Sequence, residues 1–158
     1  MIITSIAGNL AELSDAERQE LDVDFAVFDN ESRLKRVQRV TTEGGAEIAL
    51  RLDRDVRELA DGDILLRDGD KVVAVKIAPT DVLVIAPKDI REALVTAHTL
   101  GNRHLQAQFF GAESEFGEPV MVVRYDHTVE HYLDHAGVSY RRGEHVMPEA
   151  FRHAEHSH

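Results

Sequence analysis

Three histidines recur at a spacing of four residues in the stretch RYDHTVEHYLDH, at positions 127, 131 and 135. The chain has nine histidines in all, every one of them beyond residue 97, and it has no cysteine. Imidazole suits Ni²⁺, Zn²⁺ and Cu²⁺, and a site without thiolates stays exchangeable. Because the ring must be neutral to bind metal, affinity should fall as the pH drops through roughly 6.5. Metal binding is therefore the first chemistry to consider.

The same stretch has the periodicity of an amphipathic helix. Apolar residues at i, i+3, i+4 and i+7 predict its core face: Val129, Tyr132, Leu133 and Ala136. At about 100° per residue, the three histidines fall on the opposite face. His127 and His135 lie about 12 Å apart along the axis, so the three rings cannot all bind one ion. A neighbouring pair could chelate, with oxygen ligands from Asp126, Glu130 or Asp134.

The letters HTVEH also satisfy H-x-x-E-H, the inverted zinc-peptidase signature, with Glu130 as the general base. That chemistry requires a third protein ligand downstream and a cleft that holds a metal-bound water. Only 27 residues follow His131, and the pair points away from the core of its own domain. A zinc-dependent peptidase remains one alternative, and a β-rich interaction module that binds metal incidentally remains another.

Composition and charge argue against several classes of partner. The 158 residues include 18 Lys and Arg against 29 Asp and Glu, which gives a formal net charge of −11. Nucleic acids and anionic membrane surfaces both require basic patches, so neither is an expected partner. No apolar run approaches the roughly 20 residues of a membrane helix, and the opening MIITSIAGNLAELSDAER turns polar too soon for a signal peptide. We expect a cytoplasmic protein.

The first half of the chain has the pattern of short strands joined by turns. VDFAVFDN predicts one strand, and AEIALRL predicts another with Ile48, Leu50 and Leu52 on a single face. The apolar runs on either side of Asp68 and Gly69 predict a hairpin, because glycine supplies the positive φ of a tight turn. Residues 1–75 are therefore predicted to form a small all-β domain.

The second half, residues 76–143, has a different rhythm. VLVI at 82–85 predicts a buried strand, and an amphipathic helix follows with an apolar face formed by Ile90, Ala93, Leu94 and Ala97. Gly101 is its predicted C-cap. LQAQFF and PVMVVRY are typical of strands, the histidine helix comes next, and GVSYRR is a last strand. The order β-α-β-β-α-β is that of a ferredoxin-like domain.

Residues 144–158 lose apolar periodicity and are predicted to form a mobile tail. The tail carries four histidines: His145, His153, His156 and His158. The predicted fold is therefore α+β, with a small all-β domain, a ferredoxin-like βαββαβ domain and a histidine-bearing tail.

The pentapeptide LGNRH, residues 100–104, places His104 just past the end of the predicted helix, where its ring is expected to be exposed. Three other segments accompany it: EIALRLDRDVRELADGDILLRDGDKVV, YDHTVEHYLDHAGV and the histidine-bearing C-terminus. Together these segments resemble the UreE family of urease accessory proteins, the nickel metallochaperones. The resemblance extends over roughly residues 30–145.

The resemblance implies a nickel carrier rather than an enzyme. The N-terminal domain would bind a partner or peptide, and the ferredoxin-like domain would bind metal and form a homodimer. His104 of each protomer would meet its counterpart across the two-fold axis to hold one Ni²⁺ ion, and His127 matches a second histidine region of the family. His131 and the tail histidines are further candidate ligands. The carrier would act on the urease apoprotein with other accessory proteins, including a GTPase.

The three interpretations make different predictions about metal. Zn²⁺ or Cu²⁺ could occupy the same site as Ni²⁺, since affinity alone does not reject them. For a carrier, loss of the His104 ring should remove about one ion per dimer. For a peptidase, Glu130→Gln should abolish peptide hydrolysis while metal is retained. For incidental binding, truncation of the tail should remove all bound nickel.

Overall fold

The computed structural model describes residues 2–152, and in that range it contains eleven strands and three α-helices. The α+β class predicted from the sequence is confirmed. The chain divides into two compact units. The first unit runs to Pro79 and includes Val146–Ala150, and the second comprises Thr80–His145 together with residues 151–152.

The first unit contains two sheets. Its strands are β1 (Ile2–Ile3), β2 (Gly8–Asn9), β3 (Asp22–Phe28), β4 (Val37–Thr41), β5 (Glu47–Arg51), β6 (Asp63–Asp68) and β7 (Lys71–Ile77). The first sheet has the order β1-β5-β4, and the second has the order β2-β6-β7-β3. Short 3₁₀ turns cover Leu10–Glu12 and Ser32–Leu34.

The prediction of an all-β domain missed one short helix, α1 (Asp15–Gln19). Ser14 caps it, because its hydroxyl accepts from the amide of Glu17 at 3.2 Å and the Glu17 carboxylate accepts from the amide of Ser14 at 3.2 Å. This reciprocal pair is a capping box, and the letters S-D-A-E are its sequence signal.

The alternation predicted for β5 is confirmed. Ile48 and Leu50 are buried, as is Leu52 just past the strand, whereas Glu47 and Arg51 are exposed. Side chains of both sheets join them in one core: Ile3, Ala26, Phe28, Leu59, Leu65, Val75 and Ile77. Burial of each large apolar side chain contributes about 1.5–3 kcal/mol, so this shared core holds the two sheets together.

The hairpin predicted around Asp68 and Gly69 is confirmed. β6 pairs with β7 in antiparallel register, and Asp68 lies opposite Lys71. Gly69 has a φ of 64°, a left-handed conformation that costs glycine little and that other residues rarely adopt.

The second unit has the ferredoxin-like order predicted from the sequence. Its elements are β8 (Thr80–Ile85), α2 (Ile90–Gly101), β9 (Ala107–Phe110), β10 (Val120–Arg124), α3 (His127–Ala136) and β11 (Tyr140–His145). The sheet order is β11-β8-β10-β9, and every neighbouring pair is antiparallel. Both helices therefore connect strands of a single sheet.

The core of the second unit receives side chains from the sheet and from both helices: Leu83, Ile85, Leu100, Met121, Val123, Val129, Leu133 and Val138. Val129 and Leu133 of α3 are fully buried, as the sequence predicted. Ala136 was placed on the same face, but it is exposed because it lies in the last turn of the helix.

Helix α2 departs from the prediction. Its apolar periodicity is present, but Ile90 is 78 % exposed and Leu94 is 66 % exposed. The buried positions are instead Thr96 and Leu100, about a quarter-turn or more from that stripe. The apolar face of an amphipathic helix ordinarily packs on the core. Ile90 and Leu94 do not, so they are available for another contact.

The boundaries of the units also differ from those predicted. β7 continues to Ile77, so the first unit ends at Pro79 rather than at residue 75. The predicted tail starts too early, because β11 includes His145 and the next five residues belong to the first unit. The rest of the predicted tail, with His153, His156 and His158, lies outside the described residues.

Candidate metal site

The GNRH segment forms a tight turn at the end of α2. Its backbone is held by three hydrogen bonds, from the amide of Asn102 to the carbonyl of His98, from Arg103 to Leu100, and from His104 to Gly101, at 3.0–3.1 Å. Gly101 was predicted to be the C-cap, but it is the last residue of the helix and Asn102 caps it in a right-handed conformation. The left-handed position falls two residues later, on His104.

His104 has a φ of 57°, and it is the one non-glycine residue with positive φ in the described part of the chain. Side chains with a Cβ rarely adopt this conformation, although histidine is among the types enriched there. The strain is tolerated only where surrounding contacts fix the backbone, and such residues cluster at functional sites. The backbone of this turn thus fixes the point from which the exposed imidazole projects.

Arg103 connects this turn to α3. Its guanidinium Nη1 lies 3.5 Å from the hydroxyl of Thr128, and its Cζ lies 5.7 Å from the ring centroid of Tyr132. Two residues of GNRH therefore fix the geometry, Asn102 as the cap and Arg103 as the link to the next helix. The fourth residue, His104, presents its ring outward.

A shallow pocket of about 180 Å³ lies beside this turn. It is lined by residues from the α2–β9 loop and from the end of β10: His104, Leu105, Gln106, Arg124, Tyr125 and Asp126. The next residue, His127, is exposed at the first position of α3. The fold thus places the turn that holds His104 and the start of α3 on the same side of the second unit.

Asp126 is committed to capping α3. Its Oδ1 accepts from the amides of Thr128 at 2.8 Å and Val129 at 3.3 Å, and also from the Thr128 hydroxyl. These bonds, with the Thr128 hydroxyl contributing most, hold the pKa of Asp126 below its usual range. The carboxylate therefore fixes the direction of α3 and the position from which His127 projects.

Replacing Asp126 by alanine should lower the free energy of unfolding by about 1 kcal/mol at neutral pH, because two first-turn amides lose their acceptor. Asp126→Ser is the matched control, since serine caps equally well. Because the pKa is lowered in the folded chain, the carboxylate stabilises the fold above the ordinary pKa of aspartate, and the benefit disappears as the pH falls through the lowered value. Urea denaturation should therefore show a shrinking difference between the alanine and parent chains on acidification. An unchanged difference would contradict this role.

The other two helix histidines, His131 and His135, are exposed on the outward face, as the sequence predicted. Two carboxylates of α3 that could supply oxygen ligands, Asp134 and Glu130, each lie near a tyrosine hydroxyl. The Tyr140 hydroxyl donates to Asp134 at 2.7 Å, which raises the pKa of Tyr140, and the Tyr125 hydroxyl lies 3.5 Å from Glu130. Across residues 2–152, no three side chains among His, Asp and Glu converge closely enough to hold a metal ion.

His145, predicted to lie in the tail, is instead the last residue of β11. Its ring centroid lies 5.0 Å from that of Phe116, and its Nδ1 lies 3.9 Å from the Glu115 carboxylate. The structure therefore places this histidine on a strand, packed against an aromatic ring.

The second unit also has an apolar groove that the sequence reasoning missed. It is about 530 Å³ in volume and lies between α2 and the edge strand β9. Ile90 and Leu94 line one side, and Phe109, which is 68 % exposed, lines the other. The signal was present in the periodic apolar stripe of α2, but periodicity does not reveal what covers the stripe.

Within residues 2–152, no helix combines the length and the apolar character needed to cross a membrane.

Comparison with known proteins gives the same family over the whole chain. Residues 3–78 match the family model described as "UreE urease accessory protein, N-terminal domain". The urease accessory protein UreE of Corynebacterium urealyticum is 54% identical over 158 residues, which is all of both chains. The UreE proteins of Pseudarthrobacter chlorophenolicus and Actinomyces naeslundii are 53% and 48% identical, again over all of both chains. The chain therefore belongs to the UreE family of urease accessory proteins.

Proposed function

We propose that this protein is a cytoplasmic nickel metallochaperone that binds Ni²⁺ through His104 of two copies of the chain and delivers it to the urease apoprotein. One observation carries the proposal: an exposed imidazole is held by a strained, well-anchored turn at the end of α2. A ring fixed at one point in space is suited to meeting a second ligand that arrives from elsewhere.

The second ligand is the same residue of a second chain. Within residues 2–152 one chain gathers no set of three ligands, so a single His104 would bind an ion weakly. A two-fold axis brings two identical rings to one ion, since each residue of such an interface meets its own counterpart. The resulting shell is incomplete and open, which suits a carrier that must release its ion.

The apolar groove supports a homodimer. Leu94 and Phe109 are largely exposed in the single chain, and exposed apolar patches of more than a few hundred Å² are uncommon on monomers. The stripe that Ile90 begins continues along α2 through Ala97 to Gly101, directly before the His104 turn. A second copy seated on this stripe would approach the metal-binding turn.

Further histidines would serve as secondary donors. His127 follows Asp126, which lines the pocket beside His104, and it is the first of these. The others are His131, His145, His153, His156 and His158. Imidazoles outside the shared site can receive or pass on an ion without disturbing the fold. Zn²⁺ and Cu²⁺ would also bind, so selectivity would arise from geometry and from the partner that accepts the ion.

The partners follow from family membership. A urease accessory protein acts with urease, and we propose that a GTPase and other accessory proteins join it in nickel insertion. The role is one of transfer rather than catalysis. The peptidase alternative is tested by Glu130→Gln, which should abolish peptide hydrolysis while metal is retained if the H-x-x-E-H helix is catalytic.

The proposal is tested by loading and transfer. Native mass spectrometry with limiting nickel should detect two chains with one ion. The loaded protein should then activate urease apoprotein in the presence of a chelator that suppresses activation by free nickel. Zinc-loaded protein is the matched control and should give no activity. A monomer that carries the ion at full occupancy, or loaded protein that fails to activate urease, would contradict the proposal.

A further inference from the structure

The chain returns to the first unit after its last strand. Val146–Ala150 follows β11 directly and belongs to the first unit, although more than 60 residues of the second unit separate it from Pro79. The segment has no regular secondary structure. An irregular segment stays in place only if side chains of its host satisfy its backbone, so the groups that bind it define a site.

Arg33 makes most of these bonds. Its side chain is only 1 % exposed, and all three of its guanidinium nitrogens donate to backbone carbonyls. Nε donates to Leu59 within the first unit at 3.0 Å. Nη1 donates to Met147 at 2.9 Å, and Nη2 donates to Pro148 at 3.1 Å. The rigid fork of the guanidinium thus binds two successive carbonyls of the segment.

Glu58 binds the other end of the segment. Its Oε2 accepts from the amide of Ala150 at 2.9 Å and lies 3.6 Å from the Nε of Arg33. The cation binds carbonyls and the anion binds an amide, so the pair recognises the backbone groups of the segment rather than any particular side chain. Charge-assisted hydrogen bonds of this kind are about twice as strong as neutral ones.

The segment adds side-chain selectivity at two positions. Met147 is 2 % exposed and Ala150 is 5 % exposed, whereas Pro148 and Glu149 face outward. Proline has no amide to leave unsatisfied, and it restricts the preceding residue to extended conformations. The preferred ligand is therefore an irregular stretch with a buried apolar residue, then proline, then a small buried residue three positions after the first.

The host side of the site is built independently of the segment. Arg33 lies in the 3₁₀ turn Ser32–Leu34, which Asp29 fixes by accepting from the amides of Glu31 at 3.1 Å and Ser32 at 2.7 Å. Burial lowers the pKa of Arg33, and the nearby Glu58 partly offsets this. If the segment left, a buried guanidinium would lose two acceptors, which is costly unless another peptide replaced them.

We propose that Arg33 and Glu58 form a peptide-binding site on the first unit, occupied by the chain's own Val146–Ala150 and able to exchange it for a segment of a partner protein in which an apolar residue precedes proline. This goes beyond the proposed nickel carrier and gives a specific site to the expectation that the N-terminal domain binds a partner or peptide. It does not depend on nickel.

The test uses the full chain without metal and a fluorescent peptide with the sequence VMPEAFR. Met147→Asp should weaken the internal occupant, since it would bury a charge without a partner. The peptide should then bind at least ten-fold more tightly than to the parent chain, because the tethered segment competes at an effective concentration in the millimolar range. Adding Arg33→Met to Met147→Asp should abolish this binding, and a VDPEAFR peptide is the matched control ligand.

Equal binding of VMPEAFR to the Met147→Asp chain and to the chain that also carries Arg33→Met would overturn the proposal. So would equally weak binding to the parent and Met147→Asp chains. If Met147→Asp fails to fold, the parent chain is titrated with several millimolar VMPEAFR while the Ala150 amide is followed by NMR. Displacement should shift this resonance, and its constancy at the highest concentration would show the segment to be a fixed structural clip. None of these readings involves nickel, so the carrier proposal is judged separately.

Discussion

Replacing His104 by asparagine should remove one nickel ion per pair of chains and weaken the remaining nickel binding to that of scattered surface histidines. Both copies of the shared ligand are lost in a single substitution. Removal of outer partners of metal ligands already costs 10–100-fold in affinity, so loss of two direct ligands should cost more than about 100-fold. Equilibrium titration with isothermal calorimetry and direct metal analysis would measure both effects.

Asparagine is the appropriate replacement because of the backbone at this position. His104 has positive φ, a conformation that costs about 1–2 kcal/mol for most residues with a Cβ, and alanine would keep that strain without a polar side chain that could offset it. Asparagine tolerates the left-handed conformation and removes the imidazole alone. Any loss of nickel can then be attributed to the ligand rather than to the fold.

His135→Ala is the matched control for this experiment. His135 is also exposed, on the outward face of α3, and the proposal assigns it no nickel ligand role. The control should bind the shared ion as tightly as the parent chain. If His104→Asn retained that ion at parental affinity, the site would have to be elsewhere, and the proposed carrier mechanism would lose its central residue.

The sequence predicted most of the fold because its signals were local. The alternation of Ile48 and Leu50, and the glycine at position 69, each specify a strand or turn within a few residues. The helix phase around Val129 and Leu133 placed the histidines outside for the same reason. A period of two or of 3.6 residues fixes which side chains share a face, without information from distant parts of the chain.

The failed predictions have two different causes. Val146–Ala150 lacks apolar periodicity, but Arg33, 114 residues before Met147 in the chain, holds it by hydrogen bonds to its carbonyls, and no local pattern reports that contact. The C-cap of α2 was assigned to Gly101 by its residue type, yet local hydrogen bonds continue the turn and place the left-handed conformation on His104.

The apolar stripe of α2 is a case in which a local pattern identified a face but not what it contacts. Periodicity identified Ile90 and Leu94 as one face, and that face exists. Ile90 and Leu94 do not pack on the core of their own chain. The buried residues of α2 are Thr96 and Leu100, and Ala97 of the stripe packs partly on that core. Periodicity shows that a helix has a hydrophobic face, but it does not show what covers that face. For α2 we propose that a second copy of the chain covers it.

Replacing Leu94 by aspartate should convert the protein to monomers at micromolar concentration. The side chain is 66 % exposed in the single chain and would be buried in the proposed interface, so each dimer would contain two carboxylates without partners. An uncompensated buried charge costs about 3–5 kcal/mol, which raises the dissociation constant by at least 100-fold. Sedimentation velocity across a concentration series would measure the change.

Two further substitutions at the same position separate burial from the sign of the charge. Leu94→Lys should dissociate the dimer as strongly, since it also buries a charge. Because it makes the net charge of −11 per chain less negative, dissociation by this variant could not be attributed to added negative charge. Leu94→Met conserves volume and apolar character and should leave the dimer intact. A dimer that survived both charged variants would place the interface on another surface and leave the groove to a different partner.

The same variant links assembly to metal binding. His104 is untouched in Leu94→Asp, but a monomer can offer only one of the two shared imidazoles, so the tight nickel ion should be lost together with the dimer. Raising the protein concentration until the variant associates should restore that ion, whereas His104→Asn should not recover it at any concentration. Because one change removes the ligand and the other only separates the two ligands, this difference in concentration dependence distinguishes a shared site from a site within one chain. Nickel bound tightly by monomeric Leu94→Asp would mean that the ion does not require a second copy.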